Sequence, residues 1–370
     1  MRWLRAVDIF FGVEYDAITE LRRADMKLVL TLMFVIGLGA PLCFAQAPFF
    51  QDKTITVVLG GPPAGSADLR TRAVVNILRK HIPGNPTILI QHMGGGGGRQ
   101  AANHVYKVAK PDGLTVGSMG AALVANAVLG EPGVQYDIDK FIYLGTPEHE
   151  NHAVIYTKKE LGLDNLEKLK TKPGIRIGGQ TVGHTSYVAG RLFAYFLDLK
   201  DPKFVVGYTS QEVDVALMNG ELDARANSAI SVLRRNPEWL DKGVMNFHAI
   251  MEVPKGDKHP RLSHLPEIES FAKTEREKKV LAVWRAFRGV GSPYILPPAT
   301  PKDRVEILEE AMRRSFRDPE FQKYFRKLVD DDPSPLGAAD LTKLIKEMPR
   351  DAEILDLLKR FSGAAPLPPR

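Results

Sequence analysis

Short β-branched runs recur along the chain: TITVVL (54–59), TILI (87–90), LTVGS (114–118), AVIYT (153–157), IRIG (175–178) and FVVG (204–207). Stretches with helical spacing fall between them. Leu69, Ala73, Ile77 and Leu78 share one helical face after the loop GGPPAG (60–65), with Ser66 or Asp68 available to cap the start. Gly190, Leu192, Phe193, Phe196 and Leu197 mark a second such helix after the turn GGQTVGHTS (178–186). This alternation predicts an α/β protein with largely parallel sheets. The last third changes character. Thr300 as cap, Pro301 at the first helical position and Asp303 at the third open a helix through Val305, Leu308, Met312 and Phe316. Asp318-Pro319 opens another with Phe321, Tyr324, Phe325 and Leu328, and a last helical stretch runs from Leu341 past Pro349 to Leu358. The aromatic stripes read as core, and the tail GAAPLPPR (363–370) as a disordered end.

The strongly apolar segment, Leu28 to Ala47, is interrupted by Gly37, Gly39 and Pro41, too early for a membrane span. With Lys27 before it and small residues at Ala45 and Ala47, it reads as a secretory signal cleaved after one of those alanines. An acylated Cys43 is the alternative, and Pro41-Leu42 stands where that chemistry wants small residues. The stretch before it carries Asp8, Glu14, Asp16, Glu20 and Asp25, an acidic load foreign to a signal's basic start, so Met26 reads as the better first residue. Residues 1–47 are therefore read as an extension plus signal. With 370 residues, 44% apolar and 25% charged, the chain suits two soluble globular domains. Its single cysteine excludes an intramolecular disulfide and a multi-cysteine metal site. The net charge of +6 is spread out with no Lys/Arg-rich run, which favours anionic ligands and gives no nucleic-acid signature.

Catalytic chemistry is hard to find. The pentaglycine Gly94–Gly98 lacks the Lys-Ser/Thr of a P-loop, and Arg99 and Gln100 break the G-x-G-x-x-G register, so it reads as an anion-facing loop ahead of a helix beginning near Gln100. His149 and His152 are spaced three apart, not four, and lead into a strand, which points to a surface or interdomain turn rather than a zinc site. His184 and Ser186 form a possible base–nucleophile pair without an orienting acid. No cofactor, metal or catalytic set is implied.

Several ordered motifs carry a family resemblance. ITVVLGGPPAGSADLRTR (55–72), QHMGGGGGRQAANHVYKVAKPDGLTVGSMG (91–120), GIRIGGQTVGHTSYVAGRLF (174–193), VVGYTSQEVDVALMNGELDA (205–224) and PPATPKDRVEILEEAM with its following DPEF resemble, in order, the Bug-type extracytoplasmic solute receptors of tripartite tricarboxylate transporters. Ala64-Gly65 for paired glycines, Thr209, Arg225 and the long pentaglycine depart from that pattern. The resemblance implies a two-lobed periplasmic binding protein fold of the second type with ligand between the lobes. It places 54–146 plus 291–362 in lobe one and 147–290 in lobe two. It also implies a non-enzymatic, monomeric, periplasmic receptor that delivers a small organic anion of carboxylate type to integral-membrane permease subunits. A periplasmic enzyme or sensory accessory on the same scaffold is the rival.

A carboxylate can be held by backbone N–H groups and small hydroxyls at helix N-termini. The candidates in lobe one are Pro63, Ala64, Gly65, Ser66 and Asp68, then Gly97 and Gly98, then Ser118, Met119 and Gly120. Those in lobe two are Gln180, Thr181, Gly183, His184, Thr185 and Ser186, with Tyr208 and Asn227 nearby. Asp68, a carboxylate that would repel an anion, suits a bracing role.

Overall fold

The computed structural model describes residues 47–329 and 332–370, of which Pro48–Arg370 belong to one compact unit. The expected export signal lies, apart from Ala47, outside the described residues. Four strands, β1 (Thr54–Leu59), β2 (Thr87–His92), β3 (Thr115–Ser118) and β4 (Ile142–Thr146), enter a first sheet. The chain then crosses to a second sheet built from β5 (Ala153–Lys158), β6 (Arg176–Gly178), β7 (Lys203–Val205), β8 (Ala224–Ser228) and β9 (Met245–Met251), and returns to the first through β10 (Tyr294–Leu296) and β11 (Leu336–Gly337). The strand orders are β11-β4-β10-β3-β1-β2 and β7-β6-β8-β5-β9.

The largely parallel expectation needs correcting. β1 pairs in parallel with β2 and β3, and β6 with β7 and β8, but β10 is antiparallel to both β3 and β4, and β5 is antiparallel to both β8 and β9. The physical reason lies in the crossovers. β10 enters the first sheet on the chain's return from the second, so no helical crossover of its own imposes a parallel direction on it.

Helices cover both faces of each sheet. In the first half they are α1 (Ser66–His81), α2 (Arg99–Lys107) and α3 (Ala122–Val128). The middle holds α4 (Leu166–Thr171), α5 (Thr185–Phe196), α6 (Ser210–Met218), α7 (Ala229–Arg235), α8 (Glu238–Asp241) and α9 (Glu275–Gly289). The end holds α10 (Lys302–Arg317), α11 (Pro319–Val329), α12 (Ala338–Lys346) and α13 (Ala352–Ser362). Ile55 and Val57 of β1 pack with Val74, Ile77 and Leu78 of α1 and with Leu308, Met312, Phe316, Phe321 and Phe325 of α10 and α11, whereas Val58 turns to Ala101, Val105 and Leu123 on the other face. This period-two division is what an α-covered sheet requires. Each fully buried aliphatic or aromatic side chain adds about 1.5–3 kcal/mol. In the second sheet Val154 and Tyr156 meet Val213, Leu217 and Trp239, while Ile155 meets Val188 and Leu192 of α5.

Three local expectations shift. The residue capping α1 is Gly65, not Ser66 or Asp68, and the cap of α10 is Pro301, with the Thr300 hydroxyl donating back to the Pro297 carbonyl at 2.8 Å. Helix α13 packs on α9 and on α5, a helix that covers the second sheet. The tail after it is not loose. The Tyr187 hydroxyl donates to Gly363 O at 2.9 Å, Arg191 Nη2 to Ala365 O at 2.6 Å, and Arg370 Nη1 to Phe196 O at 2.8 Å. Arg191 is 2% exposed and needs those carbonyls, and the prolines of the tail lower the entropy lost in supplying them.

His248, on β9, is buried against Thr157, with Nε2 2.8 Å from Oγ1. Burial pushes its pKa down from 6.5 to about 4. Above pH 6.5 the ring is neutral in folded and unfolded chains alike. Between 6.5 and 4 only the unfolded chain gains the proton, so stability should fall by about 3 kcal/mol over that window. Urea unfolding at pH 7.5 and 4.5 checks this: His248→Gln should lose less stability on acidification than the parent, and an equal loss in both would refute it.

Candidate functional site

The two crossovers lie side by side. Thr146 Oγ1 donates to Glu148 O at 3.0 Å and accepts from Ser292 N at 2.9 Å, and Ser292 Oγ donates to Glu148 Oε1 at 3.0 Å. Beside this lashing opens a cavity of about 260 Å³ whose wall joins both lobes. Arg70 of α1 comes from the first lobe. Glu148, Glu150, Asn151, Arg288 and Gly291 come from the crossovers and the end of α9. Gln180, His184, Thr185, Ser186, Ser210, Asn227, Ser228 and Ser231 come from the second lobe.

The second-lobe wall is a set of neutral hydrogen-bonding groups at helix starts. His184 caps α5, its Nδ1 accepting from Ser186 N at 3.2 Å and lying 3.0 Å from Ser186 Oγ. Burial, then the Arg225 and Arg288 charges, hold this imidazole below its usual pKa, so it is neutral at pH 7. The His184–Ser186 contact is thus real, but it serves as a cap, and among the described residues no carboxylate bonds the other ring nitrogen. Ser210 opens α6 behind the capping box of Thr209 and Glu212. Its Oγ accepts from Arg225 Nη2 and from Arg235 Nη1, both at 2.8 Å. With both lone pairs engaged, its own O–H is left to donate outward. Arg225 is fully buried and also pairs with Asp214, which reaches Arg235 Nη2 at 3.1 Å.

Of the residues expected from sequence, Gln180, His184, Thr185, Ser186 and Asn227 line the cavity. Thr181 and Gly183 are exposed beside it, and Tyr208 packs against the second-lobe core. None of the first-lobe set lines it. Pro63, Ala64 and Ser66 are exposed and Gly65 half-buried in the β1–α1 loop. Gly97 and Gly98 belong to a short helical turn in which both have positive φ, and Gly98 abuts Gly60. Ser118 and Met119 are buried, Ser118 Oγ lying 2.8 Å from Thr71 Oγ1, and Gly120 is exposed. Asp68 is 1% exposed and braces the first loop: its carboxylate accepts from Ala64 N, Arg72 Nε and His92 Nε2, each at 2.9 Å. Burial works to raise its pKa, but the Arg72, His92 and Ala64 donors hold it below the usual carboxylate range. Arg70, Arg288 and Ser210 were not expected. The signal for Arg288 was present in VLAVWRAFRGVG (280–291), where two arginines sit on the core face of an apolar helix.

Glu150, His152 and Asp257 group their side-chain ligand atoms within 4.8 Å. His152 Nδ1 accepts from Val253 N at 2.9 Å, so the ring proton sits on Nε2, which faces Asp257 at 3.6 Å. With Nδ1 engaged by a backbone N–H and Nε2 protonated, the ring has no free lone pair to give a metal, and its geometry does not suit a metal ligand.

No protein-family model matches the chain, and no curated protein matches it. Solved structures do. A TctC solute-binding protein from Polaromonas, without ligand, is 15% identical with a TM-score of 0.64, over 84% of this chain and 97% of that one. The periplasmic binding protein BugD is 18% identical with a TM-score of 0.55, over 85% and 99%. MatC from Rhodopseudomonas palustris, with bound malate, is 20% identical with a TM-score of 0.53, over 83% and 99%. The chain therefore has the two-lobed α/β fold of periplasmic binding proteins. Within that class its fold is similar to those of TctC and BugD, in agreement with the fold expected from its loops.

Proposed function

We propose that the protein is a periplasmic receptor that captures a small carboxylate between its lobes and presents it to the membrane permease of a tripartite tricarboxylate-type transporter. The observation that carries this reading is the cavity at the crossovers, small, polar, and walled by donors from both lobes. Its volume suits a short-chain acid, and malate occupies one protein of the same fold. Ligand that bridges the lobes stabilises their closed arrangement, and closure is what distinguishes loaded from empty receptor for a permease. The apolar segment before Ala47 supports export, and the protein acts as a monomer without cofactor. Thermal-shift and calorimetric titration against acetate, lactate, succinate, malate, glutarate, adipate and benzoate, with a product assay on each acid that binds, tests the reading. Stoichiometric binding without product is the expected result, and sustained conversion would overturn it in favour of an enzyme.

A further inference from the structure

Arg288 is 7% exposed, one residue before the end of α9, where the helix's free carbonyls favour a cation. Its Nε donates to Asn151 O at 2.9 Å and its Nη2 to Asn151 Oδ1. Nη1 has no protein acceptor among the described residues. The other buried arginines among the described residues are compensated: Arg225 by Asp214, Arg285 by Glu267 and Glu269, and Arg191 by the carbonyls of Arg360 and Ala365 and the faces of Tyr187 and Phe204. Arg288 alone among these lines the cleft, and it does so without a carboxylate. Burial is the one influence on its pKa, pulling it down to about 10, so it remains a cation at pH 7.

The charges around it leave that cation unmatched. Arg70, the cavity's other cation, is paired with Glu148 at 2.9 Å. Glu150, at the rim, has its carboxylate in the group with His152 and Asp257. The second-lobe wall is neutral, and the Arg288 charge is felt across the cavity at His184. A buried charge without a counter-ion is costly, and a ligand carboxylate that supplies one is correspondingly favoured.

We infer that Arg288 is the anion anchor of the cleft: it takes one carboxylate of a short-chain acid, and neutral hydroxyls and amides hold the rest of the ligand. This rests on the receptor reading and narrows it to a ligand class, acids for which a single ionised carboxylate suffices. Because Arg288 ends α9 and Asn151 lies in the crossover between the two sheets, the bound carboxylate sits where the outgoing and returning segments meet.

Calorimetry on the protein, its Arg288→Gln and its Arg288→Lys variants tests the inference with the acids named above. For the tightest-binding diacid among them, the monoamide and diamide are added. The parent should bind the diacid and the monoamide within about threefold of each other and the diamide at least tenfold more weakly. Arg288→Gln should lose about 10- to 100-fold for the acid, and Arg288→Lys should recover part of that. Equal affinity in parent and Arg288→Gln would overturn the anchor while leaving the receptor reading standing. Parent protein that binds none of the acids, acetate included, would overturn both. If Arg288→Gln does not fold, the amide series on the parent decides, and equal binding of diacid and diamide refutes the anchor.

Discussion

Gly291→Ala should lower the unfolding free energy by more than about 3 kcal/mol, the largest loss expected for so small a substitution. Gly291 has a φ of 60°, and a Cβ built there would lie 1.8 Å from Glu148 O and 2.9 Å from Thr146 Oγ1. The left-handed conformation alone costs a side chain about 1–2 kcal/mol. The carbonyl clash adds to it, because Glu148 O is backbone of the opposite crossover and cannot rotate away. The two crossovers must separate, which also disturbs the Thr146–Ser292 lashing and the cavity beside it. Urea unfolding measures the effect, with acid binding as a second readout. A change below about 1 kcal/mol would mean that the crossovers are not packed as closely as described.

Asp214→Ala should cost about 3–5 kcal/mol, because it strips the carboxylate from a fully buried Arg225 and also from Arg235. The double variant Asp214→Leu/Arg225→Met removes both charges and should be less destabilised than Asp214→Ala, since a buried pair replaced by apolar groups is often neutral in stability. Its acid affinity should nonetheless fall, because Ser210 Oγ then accepts from Arg235 alone and its O–H is no longer forced outward. Denaturant midpoints and calorimetry on the two variants separate the effects. Equal destabilisation of single and double variants would show that the pair's charge is not what matters.

The β-branched runs at 54–59, 87–90, 114–118, 153–157, 175–178 and 204–207 each coincide with a strand, although β7 stops at Val205, because alternation and β-branching carry that information locally. β8, whose sequence is ARANS, was legible as a strand only through the family resemblance and not from β-branching: its arginine is tolerated because Asp214 and Ser210, from a separate helix, satisfy it in the interior. Strand direction was equally hidden, since the antiparallel insertion of β10 depends on where the chain returns from the second sheet. The tail reads from composition as unstructured, and only the buried Arg191 explains its docking. For the cleft, the turn before α5 was legible because a glycine-rich loop leading into a helix leaves free N–H groups wherever it occurs. Arg70, Ser210 and Arg288 were not, because they meet only once both crossovers and both sheets are in place.

A crystal structure of the protein, saturated with whichever of the seven acids binds it most tightly, tests the central claim most directly. The account predicts the intact acid in the cavity at the crossovers, one carboxylate on Arg288 and the remainder against the hydroxyls of Thr185, Ser186 and Ser210. An acid seated elsewhere on the molecule, or its chemically altered product in the cleft, would contradict it.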